Sequence, residues 1–193
     1  MADQILTKET ILDTAEEVLR RFGPEKTSVV DVARALNVSH GTIYRHYPSK
    51  AALKEAVAER WLHSISEPLA AVFNQDCSAT ERLYLWVKTL IQIKHSKVKE
   101  DPALFAMYSM LVEESVEAVD THIRELIGQI IPIVEAGIAS GEFKSTDAAG
   151  TASGVFMATA RFHHPALAKE WASPTIEQEF EIVWNLILSG IVK

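Results

Sequence analysis

Cysteine is almost missing from this chain: among its 193 residues, only Cys77 carries a thiol. No intrachain disulfide can form, and nothing in the sequence indicates an oxidising compartment. The first ten residues lack a charged segment followed by an apolar one, so we predict no signal peptide. No run approaches the ~18 apolar residues that a membrane-spanning helix needs. These absences favour a cytoplasmic protein without a membrane partner.

The local motifs of common enzymes are also missing. The sequence contains no phosphate-binding loop of the P-loop type, no G-x-G-x-x-G, no G-x-S-x-G and no H-E-x-x-H. Its seven histidines include no pair three or four residues apart, so no single helix offers two of them to a metal. We therefore predict no enzyme, no cofactor and no metal. The open alternative is a metal-sensing regulator that uses the distant residues His63, His95, His122 and His163.

Charge is distributed unevenly along the chain. The net charge is −7, but residues 1–50 hold seven basic and seven acidic residues, which leaves all of the excess in residues 51–193. Between Val32 and Lys54 there are four basic residues and no acid. Such a stretch does not repel phosphate, although it could also arise by chance.

Hydrophobic spacing and capping residues predict an all-α fold of about nine helices. Gly23-Pro24 ends the first helix, and Pro68 is expected to end or kink the fourth. A long helix is expected from about Val116 to Ser140, interrupted by Pro132, and another from Asp147 to about His163. We divide the chain into a DNA-binding domain, residues 1–50, and a larger helical domain, residues 51–193.

The segment from Thr27 to Leu53 carries the most information. Two short helices separated by Asn37-Val38-Ser39 fit a helix-turn-helix, with Val38 and Ile43 packing against the first of them. An α-helix fits the major groove of DNA, and its N-terminal residues reach base edges. The second helix turns these residues outward: His40, Gly41, Thr42, Tyr44, Arg45 and His46.

This segment, TSVVDVARALNVS followed by GTIYRHYPSKAAL, resembles the TetR/AcrR family of transcriptional regulators. The resemblance covers about 45 residues and is specific, because the helix-turn-helix runs directly into Tyr-Arg-His-Tyr-Pro-Ser-Lys. It departs from the usual pattern at Asn37, where Gly is common, and at Ala52, where Glu often completes a capping box. Neither change conflicts with the family.

The resemblance implies a role for each residue of the motif. Thr27, Thr42, Tyr47 and Lys50 would hold the DNA backbone, while Ser39 would cap the second helix at the DNA surface. His40, Gly41, Tyr44 and Arg45 would face base edges or nearby phosphates. Tyr47 could instead pack its ring in the core, and Arg45 could equally contact the backbone.

The resemblance also implies that the C-terminal helices form a dimer interface and an effector pocket. The spacing of Gly150, Gly154 and Ala158 allows close helix approach, and the last helix adds Phe180, Trp184 and Ile187. The same residues could pack within one chain. Pocket candidates are aromatic and polar residues of the middle helices, which could equally be core: Trp61, Trp86, Phe105, Tyr108, Met110, His122 and Phe156.

These observations together predict a homodimeric regulator that binds double-stranded operator DNA. We expect a repressor that a small-molecule effector releases from a palindromic site. The alternative is an architectural or division-associated DNA-binding protein of the same fold that has no effector.

Overall fold

A computed structural model describes residues 6–24, 26–113 and 117–193. In these ranges the chain forms nine α-helices and three 3-10 segments, which agrees with the predicted all-α fold. The only pairing of extended backbone there is one antiparallel bridge between Phe143 and Val192. The helices are α1 (Lys8–Phe22), α2 (Val29–Ala35), α3 (His40–His46), α4 (Lys50–Ser66), α5 (Ala79–Glu100), α6 (Pro102–Glu113), α7 (Glu117–Ser140), α8 (Ala148–Ala158) and α9 (Ile176–Ile191), and the 3-10 segments are Glu67–Asn74, Ala160–Phe162 and Pro165–Ala172.

The helix-turn-helix consists of α2 and α3. Ser28 and Asp31 form a reciprocal capping box that starts α2, and the Ser39 hydroxyl accepts a hydrogen bond from the Thr42 amide to start α3. The turn between them requires a left-handed residue, and Asn37 adopts a φ of 55° there. Ile43 is fully buried and holds α3 against the small core.

Helix α4 belongs to both halves of the chain. It packs against α1 on one side and against α5, α6 and α7 further along. Arg60 of α4 forms ion pairs with Asp13 and Glu16 of α1, while Arg20 of α1 pairs with Asp101 at the start of α6. The N-terminal helices are therefore attached to the larger bundle by several contacts, and the division at residue 50 stays a prediction.

The larger bundle is built around α5 and α7. The Trp86 indole N–H donates to the Gln129 Oε1 at 3.1 Å, and the Gln129 Nε2 donates to the Ser66 carbonyl at 3.1 Å. One amide thus ties α5, α7 and the last residue of α4 together. Helices α5 and α7 also carry fully buried apolar side chains: Leu83, Leu90, Ile130 and Val134.

Several helix boundaries differ from the predictions. Pro132 does not interrupt α7, which runs without a break to Ser140. Pro132 has no N–H to donate to the carbonyl of Gly128, but both residues are exposed, so water can satisfy that carbonyl. The α8 helix ends at Ala158 rather than near His163 and is followed by a 3-10 turn, whereas α4 ends at Ser66, just before Pro68, as predicted. The predicted start of α7 at Val116 lies outside the described residues.

No helix in the described ranges is both long enough and apolar enough to cross a membrane.

Candidate DNA-binding surface and ligand cavity

The outward face of α3 carries the residues that were predicted to read DNA. His40, Gly41, Tyr44 and Arg45 are exposed, while Ile43 between them is buried. The rings of His40 and Tyr44 meet edge to face with their centroids 6.2 Å apart. A helix anchored by one buried side chain therefore presents a row of polar groups to the surroundings.

The first turn of α3 is organised by hydroxyl groups. The Ser39 Oγ lies 2.9 Å from the Thr42 Oγ1, which in turn accepts from the Arg45 guanidinium at 3.4 Å. Ser39 therefore acts as the cap of α3, and Thr42 helps to hold Arg45 along the helix. These bonds fix the side chains that face outward before any partner arrives.

Tyr47 and Thr27 occupy more enclosed positions than the predicted phosphate contacts suggest. Tyr47 is buried, and its hydroxyl donates to the Lys8 carbonyl at 3.4 Å. Thr27 donates its hydroxyl to the Gly23 carbonyl at 2.8 Å. Both hydroxyl protons are used within the chain, so a phosphate contact from either residue would require its hydroxyl to turn.

The remaining basic residues of this surface differ in their partners. Arg34 pairs with Asp31 at 3.0 Å. Arg45 and Lys50 are exposed, and neither forms an ion pair with an acid in the described part of the chain. Lys50 also stands at the start of α4, where the helix dipole disfavours a cation. A phosphate near Arg45 and Lys50 would supply the missing counter-charge.

The residues of the predicted dimer interface differ in exposure, and the interface itself stays a prediction. Gly150, Gly154 and Ala158 are exposed on α8, but Phe180 and Trp184 are core residues of the protomer, and Ile187 is half-buried. Residues two positions apart on an α-helix point in nearly opposite directions. Phe180 and Trp184 face inward against Tyr84, so the outer face of α9 carries other apolar residues.

Those outer residues are large and unusually exposed. Ile182 is 70% exposed and Leu186 is 73% exposed on α9, and Met157 is 66% exposed on α8, which contacts α9. We call the surface formed by Met157, Ile182 and Leu186 with Gly154 and Ala158 the α8–α9 face. The spacing of Ile182 and Leu186 was a signal for it, because two apolar residues four apart lie on one side of a helix.

A cavity of about 290 Å³ lies between α5, α6, α7 and α8. Three of the predicted pocket residues line it, namely Tyr108, His122 and Phe156. The other four do not: Trp61, Trp86, Phe105 and Met110. Trp86 instead donates a hydrogen bond to Gln129. Trp61 packs against Tyr108 with the ring centroids 4.8 Å apart, and Phe105 lies edge-on to Trp61. These rings therefore belong to the core behind the cavity wall.

Polar groups of the cavity are buried among apolar ones. The Lys94 Nζ donates to the Tyr108 hydroxyl at 3.1 Å, and burial lowers the pKa of Lys94 to about 7. Burial, aided by the charge of Lys94, also lowers the pKa of His122 and of His163 to about 3, so both rings are neutral near pH 7. The His163 Nε2 lies 3.2 Å from the Phe156 carbonyl, whereas neither ring nitrogen of His122 has a hydrogen-bond partner among the described residues.

Sequence reasoning missed Lys94 and His163 as cavity residues. A signal for Lys94 existed, because it follows the buried residues Trp86 and Leu90 at four-residue spacing on α5. A lysine on an apolar helix face is unusual, since lysine is almost never fully buried unless it is paired. No comparable signal marks His163, which a 3-10 turn brings back toward α5.

Within the described residues, no group of three or more His, Cys, Asp or Glu side chains could hold a metal ion. The four histidines considered for a metal-sensing regulator lie in different surroundings. His95 stacks on Trp171 at 4.5 Å, and its Nε2 lies 2.9 Å from the Phe162 carbonyl. His63 is exposed on α4.

The exposed recognition helix and the helical bundle behind it define a helix-turn-helix DNA-binding regulator. Two family models match the chain. "Bacterial regulatory proteins, tetR family" matches residues 11–57, and "Tetracyclin repressor-like, C-terminal domain" matches residues 79–184. The chain belongs to the TetR family. Members of this family are non-enzymatic transcription factors, so the chain is not an enzyme.

Solved structures share the fold over nearly the whole chain. A protein of unknown function from Rhodococcus sp. RHA1 aligns with a TM-score of 0.73 and 19% identity, and covers 100% of both chains. The regulator FadR from Bacillus subtilis, solved in complex with stearoyl-CoA, aligns with a TM-score of 0.70 and 18% identity over 95% of this chain and 99% of its own. Identities this low establish the fold alone.

The curated relatives match only about half of this chain. An uncharacterized HTH-type transcriptional regulator from Mycobacterium tuberculosis is 26% identical over 104 residues, which is 54% of this chain and 50% of that protein. The nucleoid occlusion factor SlmA from Vibrio cholerae is 27% identical over 89 residues, 46% of this chain and 45% of its own. This chain thus spans about half the length of the curated relatives that it matches.

Proposed function

We propose that the protein is a homodimeric repressor that binds a palindromic operator in the cytoplasm and leaves it when a small molecule occupies the C-terminal bundle. The observation that carries the DNA-binding part is the outward row of His40, Gly41, Tyr44 and Arg45 on α3. This row stands beside Lys50, in a stretch that contains no acid. Repression requires only that the protein occupy a promoter, which makes it the simpler mode of control.

Two kinds of contact to DNA follow from this surface. Arg45 lies on the outward side of α3, where a guanidinium can bond a guanine edge in the major groove or an adjacent phosphate. Lys50 lies at the edge of the surface, where it can hold the sugar-phosphate backbone and fix the orientation of α3. His40 and Tyr44, in edge-to-face contact, would lie over neighbouring base edges. Gly41 allows the backbone of α3 to approach DNA closely.

The test is selection of bound fragments from the source organism's genomic DNA at near-physiological salt, followed by sequencing. We expect a palindromic site with half-sites about one DNA turn apart, or more widely spaced. The Arg45→Ala variant is the negative comparison, and Arg124→Ala is its matched control, because Arg124 is an exposed arginine on α7. Diffuse, salt-labile binding by the wild type would remove the specific repressor from consideration.

The homodimer part of the proposal rests on the α8–α9 face. Large apolar side chains exposed on two neighbouring helices are typical of an interaction surface. A second copy is the simplest partner, since a two-fold axis beside α8 and α9 produces a four-helix interface. Gly154 favours close approach there, because no atom lies within 4 Å of the position that a Cβ would occupy.

Substituting Leu186 with Glu tests the dimer. We expect the wild type to have twice the 21.4 kDa mass of one chain in light scattering, and Leu186→Glu to be monomeric at micromolar concentration. The matched control is Val30→Glu, at an exposed apolar residue on α2, far from α9 in the chain. A wild-type protein that is monomeric at high concentration would contradict the proposed interface.

A second candidate function is supported by one observation, the similarity to the nucleoid occlusion factor SlmA over 89 residues. A DNA-binding protein of that kind would need no effector. It would bind its sites equally well with and without any small molecule in the cavity. The ligand experiment described below therefore also bears on this alternative.

A further inference from the structure

Lys94 is the one lysine in the described chain that is buried inside the bundle, with only 2% of its surface exposed. Its Nζ lies 4.6 Å from the centre of the Tyr108 ring and donates to the Tyr108 hydroxyl. No carboxylate among the described side chains pairs with Lys94, although other basic residues of the same protein, such as Lys88 and Arg20, form ion pairs with acids. Among the described side chains, the charge of Lys94 therefore has no counter-charge.

Such an arrangement opposes folding. A buried ammonium without a counter-charge loses its hydration and gains little in return, so it tends to release its proton. An apolar residue of the same length would pack at this position without that cost. The stability of the fold therefore does not explain a lysine at this position. Binding of an anion is the simplest explanation.

Two further donors lie on the same cavity wall. The Tyr108 hydroxyl accepts from Lys94, and no described residue accepts the proton of that hydroxyl. His122 is 3% exposed, and neither of its ring nitrogens has a hydrogen-bond partner in the part of the chain that the structure describes. A buried polar group without a partner is costly, and the most direct way to satisfy these groups is an acceptor inside the cavity.

The rest of the cavity is apolar. His163 and His164 also line it, but most of its wall consists of aliphatic and aromatic side chains: Val119, Ile123, Leu126, Ile127, Phe156 and Met157. Its volume of about 290 Å³ is close to the lower limit of the ~300–1,000 Å³ that ligand sites usually have. The site therefore suits a small ligand with an apolar body and one polar end.

We propose that this cavity binds a small anionic amphiphile, whose carboxylate or phosphate head accepts hydrogen bonds from Lys94, Tyr108 and His122 while its apolar body lies along α7 and Phe156. The claim that this ligand is the effector rests on the proposed regulatory function. The claim that it binds in the cavity does not. The head group becomes the missing counter-charge of Lys94.

A neighbouring groove differs from the cavity in its charge. It shares His122 with the cavity and is lined by four glutamates, Glu55, Glu59, Glu117 and Glu125. These acids repel an anion, so an anionic ligand is not expected to bind in this groove. A cationic ligand would prefer the acidic groove, and the experiment separates the two cases.

The experiment uses four probes with the same eight-carbon chain: octanoate, octyl phosphate, octanol and octylammonium. Their affinities for the full-length protein are measured by calorimetry at pH 7, below the concentrations at which the probes aggregate. We expect at least one of the two anions to bind about tenfold more tightly than octanol, since hydrogen bonds to a charged partner are the stronger kind. The stronger of the two anions identifies the head group. Equal binding of octanol, or preferred binding of octylammonium, overturns the proposal.

Variants assign the effect to the cavity. Lys94→Met keeps the length of the side chain and removes its charge, so we expect it to fold and to bind the preferred anion no more tightly than octanol. Lys99→Met is the matched control, an exposed lysine on the same helix, and should bind as the wild type does. His122→Phe keeps the ring and removes both nitrogens, and should weaken anion binding severalfold. If Lys94→Met bound the anion with unchanged affinity, the assigned site would be wrong.

A DNA-binding measurement separates this inference from the proposed function. The selected operator is titrated with protein in the presence and absence of the preferred anion. Anion binding that depends on Lys94 supports the ligand class, whether or not DNA is released. Release of the operator by another compound, together with failure of both anions to bind, would leave the repressor in place and overturn the anionic ligand.

Discussion

The two ends of this molecule place their polar groups in opposite ways. On α3, His40, Tyr44 and Arg45 point outward from a helix held by one buried isoleucine, whereas Lys94 and His122 point inward from helices that are otherwise apolar on that side. A surface that meets DNA can keep its polar groups hydrated until the partner arrives. A cavity cannot, so it bears the cost of unsatisfied groups while it is empty. Buried polar groups without hydrogen-bond partners are therefore expected at the cavity rather than on the outward face of α3.

The largest expected effect concerns the inward-facing lysine. Because the pKa of Lys94 falls from its ordinary 10.5 to about 7, the unfolded chain binds more protons than the folded one between those pH values. Stability should then rise with pH above 7, by at most about 1.4 kcal/mol per pH unit. Lys94→Met should be more stable at pH 7 and lack this rise, as measured by urea unfolding at pH 7, 8 and 9.

The groups that face Lys94 do not obscure this window. Burial raises the pKa of Tyr108 and lowers those of His122, His163 and His164, so none of these groups is expected to titrate between pH 7 and 9. Lys99→Met, at an exposed position, should keep the wild-type slope. An unchanged slope in Lys94→Met would show that this lysine is hydrated in the folded protein.

At the outward-facing end, Arg45→Ala should reduce DNA binding without affecting folding. Loss of a bidentate contact to a base costs about 1–3 kcal/mol, roughly fivefold to more than a hundredfold in affinity. Fluorescence anisotropy with the selected operator and with variants at each base position measures the loss. If Arg45 reads a base, discrimination should fall at one position. A uniform loss at every sequence would instead assign Arg45 to the backbone.

A smaller effect is expected for Lys50→Ala. Removing one phosphate contact should weaken binding to all sequences alike and reduce the slope of log affinity against log salt by about one unit. The measurement is a salt titration of operator and of unrelated DNA with both proteins. A change in sequence preference would mean that Lys50 does more than hold the backbone.

The smallest effect on folding is expected for Gly41→Ala. The nearest atom to a Cβ at this position would be the Ser39 Oγ at 3.7 Å, so alanine fits the free protein. Glycine weakens a helix by up to about 1 kcal/mol relative to alanine, and the variant should melt slightly higher. Its operator affinity should nevertheless fall if the backbone approaches DNA closely. Unchanged affinity would leave Gly41 without a role at the DNA surface.

The contrast between the two ends also explains what could be predicted from the sequence. The helix-turn-helix is a local motif: caps at Ser28 and Ser39, a left-handed Asn37 and a buried Ile43 lie within 16 residues and define their own geometry. The outward side of α3 followed from helical spacing alone. The enclosed positions of Thr27 and Tyr47 did not, because they depend on contacts with Gly23 and Lys8 in and beside α1.

The C-terminal bundle depends on contacts between distant segments. Trp86 and Phe180 are apolar enough for a pocket or an interface, and only the packing of α5, α7 and α9 makes them core. For α9 the ambiguity is physical, since both of its faces are apolar and spacing alone does not say which face turns inward. The interior position of Lys94 could have been predicted from its four-residue spacing with Trp86 and Leu90. Its neighbours His122 and His163 come from other parts of the chain.

The amide of Gln129 has a mechanical consequence. It fixes the last carbonyl of α4 to α7, the helix that also carries His122 and Leu126 of the cavity wall. With 17 residues and a rise of 1.5 Å per residue, α4 is a rod about 25 Å long whose far end is Lys50. A rotation of about 5° around the Gln129 end moves the Lys50 end by about 2 Å, and in a symmetric pair the two ends shift by up to about 4 Å relative to each other. Displacements too small to open the bundle are thus large enough to change the distance between two recognition helices.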